Sequence, residues 1–194
     1  MLLHATSLLA SQTPRQFDGF QLSSFLGGMA FLGFFAVIFG LPFFLITLKV
    51  TGRDQVARLF SGTALSLVAG MFSTIAWLSW SRHRSLVQTL EFGFPNYYEV
   101  WQVIGCGLTV IALSVLITLK FANHFMWIPL IAFFFAFGFA TAFTAGVSFG
   151  PPSQEGIGVF LSLIGVSISV FLISGVTFII RENRNLRSQA TGGR

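Results

Sequence analysis

Hydrophobic and polar positions alternate here in blocks rather than residue by residue. Apolar runs extend over Phe25 to Thr47, Leu59 to Trp80, Trp101 to Thr118, Trp127 to Val147 and Val159 to Ile180, separated by short polar breaks. Crossing about 30 Å of hydrocarbon at about 1.5 Å per residue takes roughly 20 residues. Each run therefore predicts a membrane-spanning helix, because in lipid a helix satisfies its own backbone. The expected fold is all-α: a polytopic integral membrane bundle of five helices forming one transmembrane domain over residues 1–194.

The breaks carry their own signals. Lys49, Arg53, Asp54 and Arg58 interrupt the first two runs, and Lys120 to His124 forms a tight link. Asn123 is the expected N-cap of the fourth helix, with Pro129 in its first turn, where a missing N–H costs little. Gly150-Pro151-Pro152-Ser153 stops the chain before the fifth run, and Gly33, Gly40 and Pro42 predict a kink in the first. Only the loop 81–100 is long enough to hold structure of its own, with Leu86, Leu90 and Phe92 marking a short interfacial helix.

Apolar burial does not drive helices together in lipid, so small residues at every third or fourth position mark the packing lines. Gly62, Ser66, Gly70 and Thr74 form one such line in the second run. Ala132, Ala136, Ala140 and Thr144 form another in the fourth, and Gly158, Ser162, Gly165 and Ser169 a third in the fifth. Phenylalanine crowds the remaining faces of the fourth helix at Phe133, Phe134, Phe135, Phe137, Phe139 and Phe143. Such a surface packs equally well on protein, acyl chains or an apolar ring system.

Composition agrees with the block pattern. Of 194 residues 54% are hydrophobic and 9% charged, with mean hydropathy +0.81. About a quarter charged residues is usual for a soluble domain, so lipid must solvate most of this surface. The net charge of +5 is spread beside the apolar runs, with no basic stripe carrying interleaved aromatics. A nucleic-acid partner is not expected.

Those charges instead set topology. Lys49, Arg53, Arg58, Lys120, Arg181, Arg184, Arg187 and Arg194 fall on one side, against Arg15, Arg82 and Arg84 on the other. The excess predicts a cytoplasmic C-terminus and an outside N-terminus. Trp77, Trp80, Tyr97, Tyr98 and Trp101 cluster near the outer ends of the second and third runs, a headgroup-level aromatic belt. Met1 to Gln12 lacks a basic region and a long apolar core, so a cleaved signal peptide is not expected.

Candidate chemistry is sparse. No ionisable residue falls at mid-span, which argues against an ion-coupled carrier and against intramembrane acid–base catalysis. His83 and His124 fall on opposite sides, so they cannot share a haem iron, and Cys106 stands without metal-ligand spacing around it. No G-x-S-x-G or phosphate-binding loop is present. No cofactor and no enzymatic activity are expected.

The outer loop is the most individual segment. Arg82, Arg84, Glu91 and Glu99 bring both signs of charge to one surface beside Tyr97 and Tyr98, a candidate surface for docking a partner. The expected role is a non-catalytic accessory subunit or assembly factor of a larger membrane complex. Its partners would be the bilayer and other membrane proteins, in a plasma, inner or thylakoid membrane. A small transporter or channel for a neutral solute is the first alternative, drawing on Gly40-Pro42 and on the polar lines Ser66–Thr74 and Ser162–Ser169. A pigment- or cofactor-bearing protein is the second.

Overall fold

A computed structural model describes residues 19–80, 87, 93–95, 98–149 and 155–192, without the side chains at 53, 155, 156 and 190–192. Its helices are α1 (Leu22–Phe35), α2 (Leu41–Val50), α3 (Val56–Leu78), α4 (Val100–Phe121), α5 (Trp127–Val147) and α6 (Glu155–Gly192). A π-helical turn, Ala36–Gly40, joins α1 to α2, so the two make one continuous first span. Five helices are thus long and apolar enough to cross a membrane, as the block pattern predicts. Among the described residues the only β-type pairing is an isolated bridge between Phe20 and Phe149. The architecture is an all-helical, multi-pass membrane bundle.

The helix α5 is the hub. Of its most apolar stretch 61% is buried inside the protein, against 11% for the first span. It packs chiefly on α3 and α6, while α4 closes the ring by packing on α3 and α6 from the far side. The first span lies outside this four-helix ring, mainly against α5. Phe135, Leu130, Ile128 and Ala136 of α5 are fully buried at the centre.

Several boundaries move outward from the sequence expectation. Lipid-facing apolar residues end before the helices do, because Arg, Lys, Glu and Leu continue a helix readily. The largest shift is in α6, which was expected to end near Ile180 and continues to Gly192. At about 1.5 Å per residue its 38 residues are about 57 Å long, well beyond the hydrocarbon thickness.

One local expectation is corrected, and the irregularity expected at Pro42 takes a specific form. Asn123 does not cap α5: its side-chain amide donates to Gln55 Oε1 at 2.8 Å, and Met126 occupies the N-cap without a side-chain bond. The first N–H groups of α5 are met by carbonyls instead, Trp127 donating to His124 and Ile128 to Phe125, both at 3.0 Å. Near Pro42 the helix takes a wide turn, with the Leu41 N–H reaching back five residues to Ala36 O. Proline has no N–H to give at the next position, and buried Gly40 sits against the Phe133 ring.

Candidate functional site

Among the described glycines, the closest backbone approach is at the α3–α5 seam. A Cβ on Gly70 would lie 1.9 Å from Phe135 O, and one on Gly138 would lie 2.0 Å from Leu67 O. Backbone therefore meets backbone, and no side chain fits at either position. Thr74, fully buried, donates across this seam to Phe139 O at 3.1 Å as well as along its own helix to Gly70 O at 3.2 Å. Gly62 stands against Phe121 of α4, and buried Ser66 donates to Gly62 O at 2.7 Å. The hydroxyls of Ser66 and Thr74 are thus spent on carbonyls inside the bundle.

In α5 the residues Ala132, Ala136, Ala140 and Thr144 are all buried. Ala136 and Ala140 form a cluster with Leu32 of the first span and with Val159 and Leu163 of α6. Gly138 lies on another side of α5, facing the α3 line, and sequence reasoning did not single it out. The signal existed in the sequence, a lone glycine among phenylalanines, but the four-residue alanine repeat overshadowed it.

The α6 line differs from its expectation. Val159, Leu163, Val170 and Ser174 are the buried positions, whereas Gly158 and Ser162 are half-buried and Gly165 and Ser169 exposed. Ser162, Gly165 and Ser169 line a lateral groove of about 520 Å³ between α4 and α6, with Cys106 and Gly107 on the opposite wall. A Cβ on Gly107 or Gly165 would meet no atom within 4 Å. Val159 and Leu163 pack on Ala136 and Ala140 of α5, so the small line of α6 turns away from that contact.

Two further grooves flank the first span. One of about 600 Å³ is lined by Phe35, Phe39, Phe43, Phe125, Phe133, Phe160 and Phe171 among others, with Ser167 its hydroxyl. The other, about 500 Å³, lies toward α3 beside Ala36, Gly40 and Phe60. Phe133 lines both and separates them. The phenylalanines of α5 therefore divide between core and groove: Phe135 is fully buried, whereas Phe133 and Phe134 are half-buried and line grooves.

Of the docking-loop candidates, Arg82, Arg84, Glu91 and Tyr97 lie outside the described residues, as does His83. Glu99 is committed to a capping box with Gln102 at the start of α4. Tyr98 packs against the main core cluster, and burial, aided by the nearby Cys106 thiol, pushes its phenol up to about 12. Gln102 itself, fully buried, was not foreseen. Its amide nitrogen donates to Trp77 O at 3.1 Å and Trp80 O at 2.7 Å, and its oxygen accepts from the Glu99 N–H at 3.1 Å. This one side chain ties the end of α3 to the start of α4, under a Trp77–Trp101–Trp80 cluster with centroid separations of 6.1 and 5.4 Å. Phe94 is bound to the end of α5 through Gly146 O at 2.8 Å.

The opposite end of the bundle carries the described cations of the first span and of α3, α4 and α6. Arg58 of α3 donates to Lys120 O, and Arg181 of α6 donates to Leu119 O at 3.1 Å and Ala122 O at 3.0 Å. Lys120 lies over the Phe121 ring, its Nζ 5.4 Å from the centroid. Trp127, buried, donates to Thr51 Oγ1 at 3.2 Å, and Thr47 donates to Met126 O at 3.2 Å, pinning the first span to α5.

Among the described residues no group of three or more His, Cys, Asp or Glu gathers as metal ligands do. No family model, curated protein or solved structure matches the chain. What the geometry defines is a class: a five-span helical membrane protein that, among the described residues, has a tightly sealed α3–α5 seam and open grooves beside the first span and between α4 and α6.

Proposed function

We propose that this protein is a non-catalytic accessory subunit or assembly factor of a larger membrane complex, oriented with its C-terminus in the cytoplasm. The observation that carries the reading is the outward-facing small-residue line on α6. Gly165 and Ser169 are exposed, and Gly107 of α4 faces the same groove. Small residues let helix backbones approach closely, and elsewhere in this bundle such residues are used for that purpose. The Gly165–Ser169 part of the line, exposed on the protein's own surface, suits a helix from another polypeptide. The positive-inside excess supports the orientation.

Gentle solubilisation followed by size analysis tests the reading. The wild-type protein should migrate with a larger assembly, and Gly165→Leu should release it while leaving the helical content unchanged. A lone monomer in several mild detergents would count decisively against an accessory role. Cysteine accessibility at engineered positions near residue 190 would test the orientation independently.

A small transporter remains the second reading, on one specific observation. The π-helical turn before Pro42 lies between two grooves, and such turns are frequent at functional sites. Solute uptake into vesicles containing the purified protein, compared with Pro42→Ala, decides it.

A further inference from the structure

The C-terminus of α4 gathers three cations from three helices. Arg58 reaches it from α3, Arg181 from α6, and Lys120 belongs to α4 itself. The two guanidinium groups donate to carbonyls of adjacent residues, Lys120 and Leu119, so they stand within one helical turn of each other. Among the described residues no carboxylate is paired with Arg58, Lys120 or Arg181. Asp54, four residues before Arg58, lies with a carboxylate oxygen against Gly52 instead.

Electrostatics leaves this cluster short of negative charge. A helix C-terminus supplies roughly half a unit of negative charge, against three positive side chains. A guanidinium carries five N–H donors, and the carbonyls take one from Arg58 and use one nitrogen of Arg181. The remaining donors are open: Arg58 and Lys120 are exposed and Arg181 is partly so. The cluster sits at the C-terminal end of α4, a helix long and apolar enough to cross a membrane, where a headgroup layer is expected. Beneath it, Leu116 and Leu119 are 60% and 45% exposed and offer acyl chains an apolar face.

We infer that Arg58, Lys120 and Arg181 form a seat for the phosphate of an anionic phospholipid. Arginine forks suit phosphate oxygens bidentately, and basic sites between transmembrane helices hold anionic headgroups. The carbonyl bonds hold the two forks in place, so little side-chain freedom is lost on binding. A lipid without net charge lacks the excess that the cluster requires. Free phosphate lacks the chains that Leu116 and Leu119 would cover.

Native mass spectrometry of the full chain in mild detergent tests the seat, with phosphatidylglycerol, phosphatidylcholine and inorganic phosphate as probes. Phosphatidylglycerol should bind with retention through gas-phase activation, and the other two should not. Arg58→Gln with Arg181→Gln should weaken that binding about tenfold or more, on the scale of lost charge-assisted bonds. Arg184→Gln with Arg187→Gln removes the same charge from the α6 extension and should stay within about twofold of wild type. Equal loss in both pairs would show general attraction to a basic end and overturn the seat. Binding of phosphatidylcholine or free phosphate as tight as that of phosphatidylglycerol would do the same. Lys120→Gln leaves both carbonyl caps intact and serves if the arginine pair does not fold; unchanged binding in that variant overturns the three-cation arrangement.

Discussion

Gly70 and Gly138 approach opposite backbones reciprocally: each leaves room for a carbonyl of the other's helix where its own Cβ would stand. The α3–α5 seam depends on both absences at once. Adding a methyl at either position must separate the two helices. Gly70→Ala and Gly138→Ala should each destabilise by about 1–3 kcal/mol, the range for overpacking a close contact. Gly107→Ala, with no atom within 4 Å of the new methyl, should be neutral or slightly stabilising. Reversible unfolding in mixed micelles, followed by circular dichroism, reads all three, and a Gly138→Ala protein as stable as wild type would remove the seam from this account.

Thr74 adds a polar tie to the same seam. Thr74→Val keeps the shape and deletes the hydroxyl that reaches Phe139 O. A loss of about 0.6–1.7 kcal/mol is expected, as for other hydrogen bonds between membrane helices. Ser66→Ala deletes a bond within one helix and should cost less. The order of the two effects is the test.

Gln102 holds three backbone groups at once. Replacement by Leu leaves Trp77 O, Trp80 O and the Glu99 N–H without that partner, which should cost about 1–3 kcal/mol. Loosening the α3–α4 end should also redshift tryptophan emission, since Trp77, Trp80 and Trp101 are clustered there. Unchanged emission together with unchanged stability would contradict the role given to this amide.

Tyr98 supplies a pH test. Its phenol is raised to about 12 by burial first and by Cys106 second. The unfolded chain loses its phenolic proton near pH 10, before the folded one does. Between about pH 10 and 12 the unfolded state therefore binds fewer protons, and stability falls as pH rises through that window. Tyr97→Phe leaves Tyr98 as the only tyrosine, so phenolate absorbance can be read directly. A midpoint near that of free tyrosine would show that Tyr98 is not buried as described.

The number and order of the spans were legible because lipid solvation writes itself in long uncharged runs. The contacts between spans were less so. In a soluble protein the polar face announces which side is outside; here both faces are apolar, and periodicity reveals only which residues share a side. Gly62 to Thr74 was found because glycine and hydroxyl residues recur there. Gly138 stands alone among phenylalanines, and the buried face of α6 is built from valine and leucine that look identical to lipid-facing residues. Gln102 carried a readable signal, an acid three residues before an amide at the start of a run, since Glu99 and Gln102 cap α4 together. The cation cluster was invisible because it joins positions 58, 120 and 181 through folding alone.

The central place of α5 also bears on how the molecule is made. The first span finds its main neighbour in the fourth of the five spans to emerge during synthesis. It must wait in the bilayer, with Phe35 and Leu32 unpaired, while two intervening hairpin arms are inserted. α6, the last of the five, then covers Ala136 and Ala140 from the other side. Biogenesis thus ends where stability is concentrated, and a chain interrupted before α5 would leave every earlier span without its common support.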